Sequence, residues 1–190
     1  MPVGAELLER RMKQQIIRKV VRMKLAFQSV ARANKTAEGM KAYYLSLAEG
    51  MGEEQGRRVV VVPQSMGVDA EMTHWSYYQL MEHNAIVNRT MTRVVTALMT
   101  GEGVEALDQF DPKHDVLPSH EAGSEVIEEF RSSVDDHLLA VQQFGKLKST
   151  LRRNHPIFGS FNAHMWHGMF GLHLKVHQNQ AKTIANQAKG

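Results

Sequence analysis

Cysteine is absent from the 190-residue sequence, which excludes a disulfide framework, a thiolate metal site and a protein thiol nucleophile. Any thiol chemistry has to use an external thiol. No apolar run approaches the ~20 residues that a spanning helix needs, so no membrane partner is expected. The first nine residues carry two acids and lack the pattern of a secretory signal, and the expected location is the cytoplasm. Internal repeats and low-complexity tracts are missing, and no strand-like alternation competes with the helical pattern described below. Aromatic residues make up 7% of the chain, and Phe27 is the only one before Tyr43.

The composition is that of an ordinary globular protein, with 43% apolar and 23% charged residues. A chain of this length can bury one full core, so a single domain spanning residues 1–190 is expected. The net charge of +3 hides an asymmetry. Residues 1–35 hold nine Lys/Arg and two Glu, against fourteen basic and eighteen acidic groups in the other 155. Such a segment reads as a nucleic-acid or membrane surface, or as a solvated helix face packed beside the acidic stretch Glu102–Asp136. The second reading is preferred, because aromatic residues are not interleaved with the charges as a nucleic-acid stacking platform needs.

Four apolar stripes at helical spacing organise the chain. Leu8, Met12, Ile16, Val20, Met23, Phe27 and Val30 mark a long first helix, which Asn34 can end or break before a segment from Thr36 to Met51. Leu80, His83, Val87, Met91, Val94 and Leu98 mark a second, with Asp69 as its expected N-cap and Gly101 and Gly103 as its stop. Val126, Phe130, Val134, His137, Val141 and Phe144 mark a third, opened by Ser124 and the acids Glu125, Glu128 and Glu129. Trp166, Phe170, His173, His177, Gln180 and Ile184 mark the last, with Ser160 as its expected cap after the extended His155-Pro156 link. Between the first two, Val59–Val62 and Pro63 favour an extended connection, a short hairpin or a dimer contact. The expected fold is all-α, an up-down antiparallel four-helix bundle.

His173 and His177 are one turn apart on one face, which lets two imidazoles converge on one ion. With ten histidines in the chain, about half such a pair arises by chance, the usual risk with short motifs. Both residues lie on an inward stripe, however, and so does His83. Three neutral imidazoles from two helices make a reasonable ligand set with a position left open, the mark of a catalytic site. The alternative is a set of hydrogen-bonded core histidines. His137, also on an inward stripe, is a weak candidate for a fourth ligand or proton shuttle, and is more readily a core histidine. His164 and His167 are out of phase with His173 and suit a pocket rim or an exposed surface. Glu82 points about 100° away from His83 around the helix and is a poor general base. Trp75 and Trp166 read as core anchors.

Trp75-Ser76 followed by His83, then His155-Pro156-Ile157-Phe158-Gly159, Trp166, and His173 to His177 with Gln180, together resemble the DinB-like family of metal-dependent bundle proteins (the DinB/YfiT-like superfamily). The similarity covers roughly Ala70 to Ile184. It implies a metal held by His83, His173 and His177, and a homodimer. It also implies one of two activities: transfer of an external low-molecular-weight thiol to a small-molecule substrate, or hydrolysis of an amide or ester. A non-enzymatic metal-binding bundle is the third possibility. Imidazole ligands suit zinc or nickel, with iron, manganese and cobalt as other occupants.

Overall fold

The computed structural model describes residues 3–65, 67–109, 111 and 113–190, and of 3–8, 10, 11, 108 and 109 the backbone alone. Among these residues the chain is mostly helical. Helix α1 (Val3–Phe27) and α2 (Val30–Ala48) are followed by the short α3 (Glu53–Arg57) and strands β1 (Val60–Val61) and β2 (His74–Trp75). Then come α4 (Tyr77–Thr100), α5 (Val126–Phe144), strands β3 (Arg153–His155) and β4 (Gly159–Phe161), α6 (Ala163–Val176) and α7 (Gln178–Lys189). No described helix is long and apolar enough to cross a membrane.

The four stripes all become helices, but their ends differ from expectation for local reasons. The first helix breaks at Gln28-Ser29, because the Ser29 hydroxyl accepts the Arg32 N–H and starts α2 afresh. Asn34 stays inside α2. Asp69 makes no side-chain cap bond. Helix α4 begins eight residues later, where Ser76 and Gln79 form a reciprocal capping box at 3.2 and 3.0 Å. Residues 74–75 are taken by the extended connection, pairing as Val60↔Trp75 and Val61↔His74. At the other end Gly101, with φ 81°, stops α4 as expected. Helix α5 starts at Val126, with Glu128 and Glu129 in its first turn. Ser160 lies in β4, which pairs with β3, and Asn162 caps α6 instead by accepting the Met165 N–H at 3.0 Å.

Contacts fix the helix directions. Asn88 with Ser133 and Thr92 with His137 pair α4 and α5 in rising register, so these two helices run parallel. The strictly alternating order expected from the sequence is not followed. The chain between them, residues 101–125, is long enough to return to the starting end, as in bundles with crossover connections. Tyr44 meets Phe130 while Lys41 pairs with Asp135, which sets α2 antiparallel to α5. The core between α2, α4, α5, α6 and α7 is filled by fully buried Tyr44, Leu80, Met81, Phe130, Phe170, Leu174 and Ile184. Burying a side chain of this size stabilises the fold by about 1.5–3 kcal/mol.

Helix α1 departs most from its sequence pattern. Met12, Ile16, Val20, Met23 and Phe27 are 51–84% exposed, so the apolar stripe faces away from the core. The opposite side does the packing. Leu25 is buried against Gly168 of α6, and Arg22 donates to the Phe158 carbonyl at 2.9 Å. The helix packs on α6 rather than beside Glu102–Asp136.

The segment after β1 folds back over the end of α6. Gly67 has φ +81°, and a Cβ there would lie 2.3 Å from Val176 Cγ1. Both the left-handed backbone and the close approach require glycine. Gly67→Ala is expected to cost about 2–4 kcal/mol, read as a lowered midpoint in urea unfolding. A midpoint unchanged from wild type would show that this segment does not pack as described.

Candidate metal centre

Three ring systems meet where the start of α4 faces the end of α6. The centroids are 5.4 Å apart for His83–His173, 5.1 Å for His83–His177 and 4.8 Å for His173–His177. One nitrogen from each lies within 4.8 Å of the others, and this is the one group of metal-ligating side chains found among the described residues. His83 comes from the second turn of α4, and His173 from the last turn of α6. His177 sits at the α6–α7 junction, where its N–H still reaches the His173 carbonyl. That near-continuous helix keeps the two imidazoles one turn apart.

Hydrogen bonds settle which nitrogens are free. His83 Nδ1 lies 2.7 Å from the Val116 carbonyl. A carbonyl only accepts, so Nδ1 carries the proton and Nε2 holds a lone pair. Gln180 Nε2 donates to the Met72 carbonyl at 2.7 Å, which turns its Oε1 toward His177 Nδ1 at 2.8 Å. His177 therefore also carries its proton on Nδ1 and presents Nε2 as an acceptor. The Nε2 atoms of His83 and His173 are buried and meet no hydrogen-bond partner among the described residues. Unpartnered buried acceptors are costly, and here they converge. Burial also lowers all three pKa values. His83 falls to about 3, through desolvation and then the neighbouring His177, and His173 falls well below the ordinary range for the same kind of reason. For His177 burial again lowers the value, opposed by the Gln180 bond and the charge of Asp69. All three are neutral at pH 7, the form that binds metal.

This group can hold a metal ion. Around a tetrahedral ion with bonds of ~2.0–2.1 Å, ligand nitrogens stand about 3.4 Å apart, so nitrogens that lie within 4.8 Å of one another need at most small side-chain rotations to meet one ion. The surroundings are built like a support for ligands. Trp75 packs on His83 at 5.0 Å. Glu82, next to His83, accepts the Ser119 N–H at 2.7 Å and so ties down the loop that offers Val116 to His83. It is an anchor, not a base.

The other candidate residues fall elsewhere. His137 lies at the level of Thr92, nine residues along α4 from His83, or about 14 Å along the axis, and is not brought to the cluster. It is fully buried, stacks on Phe170 at 3.8 Å, and pairs through Nε2 with His167 Nδ1 at 3.0 Å. His167 is 1% exposed, contrary to the surface position expected of it. Its phase was misread because α6 packs against α1 and α2 as well as α4. Thr92 donates to the Asn88 carbonyl and accepts from His137 Nδ1. His137 Nε2 and His167 Nδ1 share one hydrogen bond, and burial keeps both rings neutral. His74 is exposed in β2, and Trp75 and Trp166 are buried as expected. Asp69 is the carboxylate that sequence reasoning took for a cap, and no periodicity in the sequence places it near His177. Two surface hollows of about 500 and 520 Å³ do not border the His83 cluster.

Burial sets a pH dependence for the His137–His167 pair. Desolvation lowers His137 to about 3 and His167 to about 4, below the unfolded value near 6.5. The unfolded chain therefore takes up protons first as pH falls. Stability is full above about pH 6.5 and is lost between there and pH 3, by about 2 kcal/mol per histidine at pH 5. Urea unfolding at pH 7 and pH 5 should show a smaller loss in the His137→Gln/His167→Gln variant than in wild type. Equal losses would mean that the pair is not buried neutral.

No protein-family model, no curated protein and no solved structure matches this chain.

Proposed function

We propose that the protein is a DinB-like divalent-metal protein that transfers an external low-molecular-weight thiol to a small electrophilic substrate. The reading takes α2, α4, α5 and the α6–α7 unit as the four members of one bundle. The observation that carries it is the convergence of His83, His173 and His177, one ring nitrogen of each within 4.8 Å of the others, with the buried Nε2 atoms of His83 and His173 unpartnered. Three neutral imidazoles would hold zinc or nickel, or else iron, manganese or cobalt. A bound ion would supply Lewis acidity at its remaining position, lowering the pKa of a thiol placed there. The chain's own residues orient and dry the site. Val116 and Gln180 fix the His83 and His177 tautomers, and Trp75 walls off the His83 side. The absence of cysteine leaves the thiol to come from outside. A cytoplasmic homodimer is part of this reading, in keeping with the family resemblance.

A hydrolase is the second reading, favoured by one observation: Asp69 is close enough to His177 to raise its pKa. A carboxylate at that place could take a proton from water.

Protein purified without chelator or affinity metal should contain one equivalent of divalent metal by elemental analysis. Chelation should lower Tm, because an ion that binds only the folded state stabilises it. His173→Ala/His177→Ala should lose the metal yet remain folded. A full equivalent retained in that variant would remove the site.

Thiol transfer makes a separate prediction. Adding a cellular thiol to Co(II)-substituted protein should produce a sulfur-to-metal charge-transfer band and release a proton, since a free thiol with pKa ~8.5 is mostly protonated at neutral pH. His83→Ala should abolish the band and turnover together. A silent spectrum with turnover of an ester or amide panel that Asp69→Asn slows would establish the hydrolase reading instead.

A further inference from the structure

Among the described residues, helix α1 is the long element whose apolar face has no partner. Over residues 12–20 every side chain is exposed, so this half of the helix stands clear of the body. Met12, Ile16, Val20, Met23 and Phe27 all fall within about 80° of its circumference at 100° per residue. Their exposures are 60%, 61%, 51%, 59% and 84%. An isolated helical arm of this length is marginal in water and is stabilised by whatever covers its apolar side.

The charges around the stripe say what that is. From residue 10 to residue 37 the sequence has no Asp or Glu and nine Lys or Arg. Lys19 borders the stripe on one side, and Lys13 and Lys24 border it on the other, while Arg18 and Arg22 lie further round the helix. A second copy of α1 laid against this face would set lysines against lysines. A duplex or single-stranded nucleic acid would use the charges and leave the stripe uncovered, and no aromatic platform accompanies it. An anionic lipid surface satisfies both parts. The apolar stripe enters the boundary between headgroups and acyl chains, and the flanking lysines meet lipid phosphates.

We propose that α1 is an interfacial helix that docks the protein onto anionic lipid surfaces, lying on the bilayer without crossing it. The long side chains suit this position, since lysines beside an apolar stripe can extend their ammonium groups to the headgroup level. The body hangs from the last turns of α1 through Leu25 on Gly168 and Arg22 on Phe158, leaving the metal-centre residues outside the contact. The proposal is independent of the metal reading.

The test is co-sedimentation of the full chain with vesicles of equal parts phosphatidylcholine and phosphatidylglycerol, beside vesicles of phosphatidylcholine alone. Wild type should pellet with the anionic vesicles only, and raising the salt should release it. Ile16→Ser/Phe27→Ser and Lys13→Glu/Lys19→Glu, all at exposed positions, should each weaken binding by about tenfold or more while circular dichroism at the body's unfolding transition stays unchanged. Failure of wild type to pellet would overturn the proposal, as would equal pelleting with neutral vesicles. The competing occupant is a second copy, whose α1 would lie in the hollow lined by Val30, Glu38, Asp135, Leu138 and Leu139. Light scattering that shows a dimer converted to monomer by Ile16→Ser/Phe27→Ser would assign the stripe to that contact and overturn the lipid assignment. Tighter binding to a duplex oligonucleotide than to vesicles, lost in the lysine variant alone, would overturn it as well.

Discussion

Imidazole is a demanding side chain to bury, because each ring nitrogen must find a partner or cost free energy, and the arrangement of this protein around its histidines follows from that demand. At one end of the α4–α6 interface the Nδ1 atoms of His83 and His177 are provided for by Val116 and Gln180. The Nε2 atoms of His83 and His173 are left without a hydrogen-bond partner among the described residues. What sets this group apart is that three rings converge, with one nitrogen of each within 4.8 Å of the others. The half-paired state is what a ligand set looks like when its supporting bonds are built into the fold.

Earlier along α6, where it meets α5, the problem is solved differently. His137 and His167 pair with each other, and Thr92 closes the series. Phe170 lies flat on the His137 ring. Two groups of buried histidines thus lie along α6, each with its own surroundings. One orders the core through neutral hydrogen bonds, and the other leaves lone pairs available. The difference lies in the partners offered by neighbouring elements, since the residue type is the same.

Those partners come from the irregular parts of the chain. The parallel arrangement of α4 and α5 requires a long return connection, and that connection carries Val116 and Ser119 to the start of α4. The extended segment between α3 and α4 brings Met72 to Gln180 and Asp69 toward His177, and packs Gly67 on Val176. Regular helices supply the ligands at their spacing. The connections supply the orientation, the dryness and the nearby carboxylate.

The pattern of residues alone determined the four helical stripes and the convergence of His173 and His177, because a period of 3.6 residues fixes which side chains share a face. It also put His83 on an inward face, since α4 is buried along most of its length. Helix ends were less legible: the break expected at Asn34 falls at Ser29, and Ser76 and Asn162 took the caps expected of Asp69 and Ser160, as nearby strand pairing or a competing hydroxyl decided each case. Three matters were decided by tertiary structure only. The stripe of α1 looks like any core stripe in sequence, but Leu25 and Gly168 fit each other on the opposite side and turn it outward. His137 and His173 both sit on inward faces, yet periodicity says nothing of height along the interface, and they lie on different levels. His83 takes its partner from Val116, 33 positions away, and the Gln180 that holds His177 is itself oriented by Met72, 108 positions away, so only the packing of distant segments decides which nitrogen is left free.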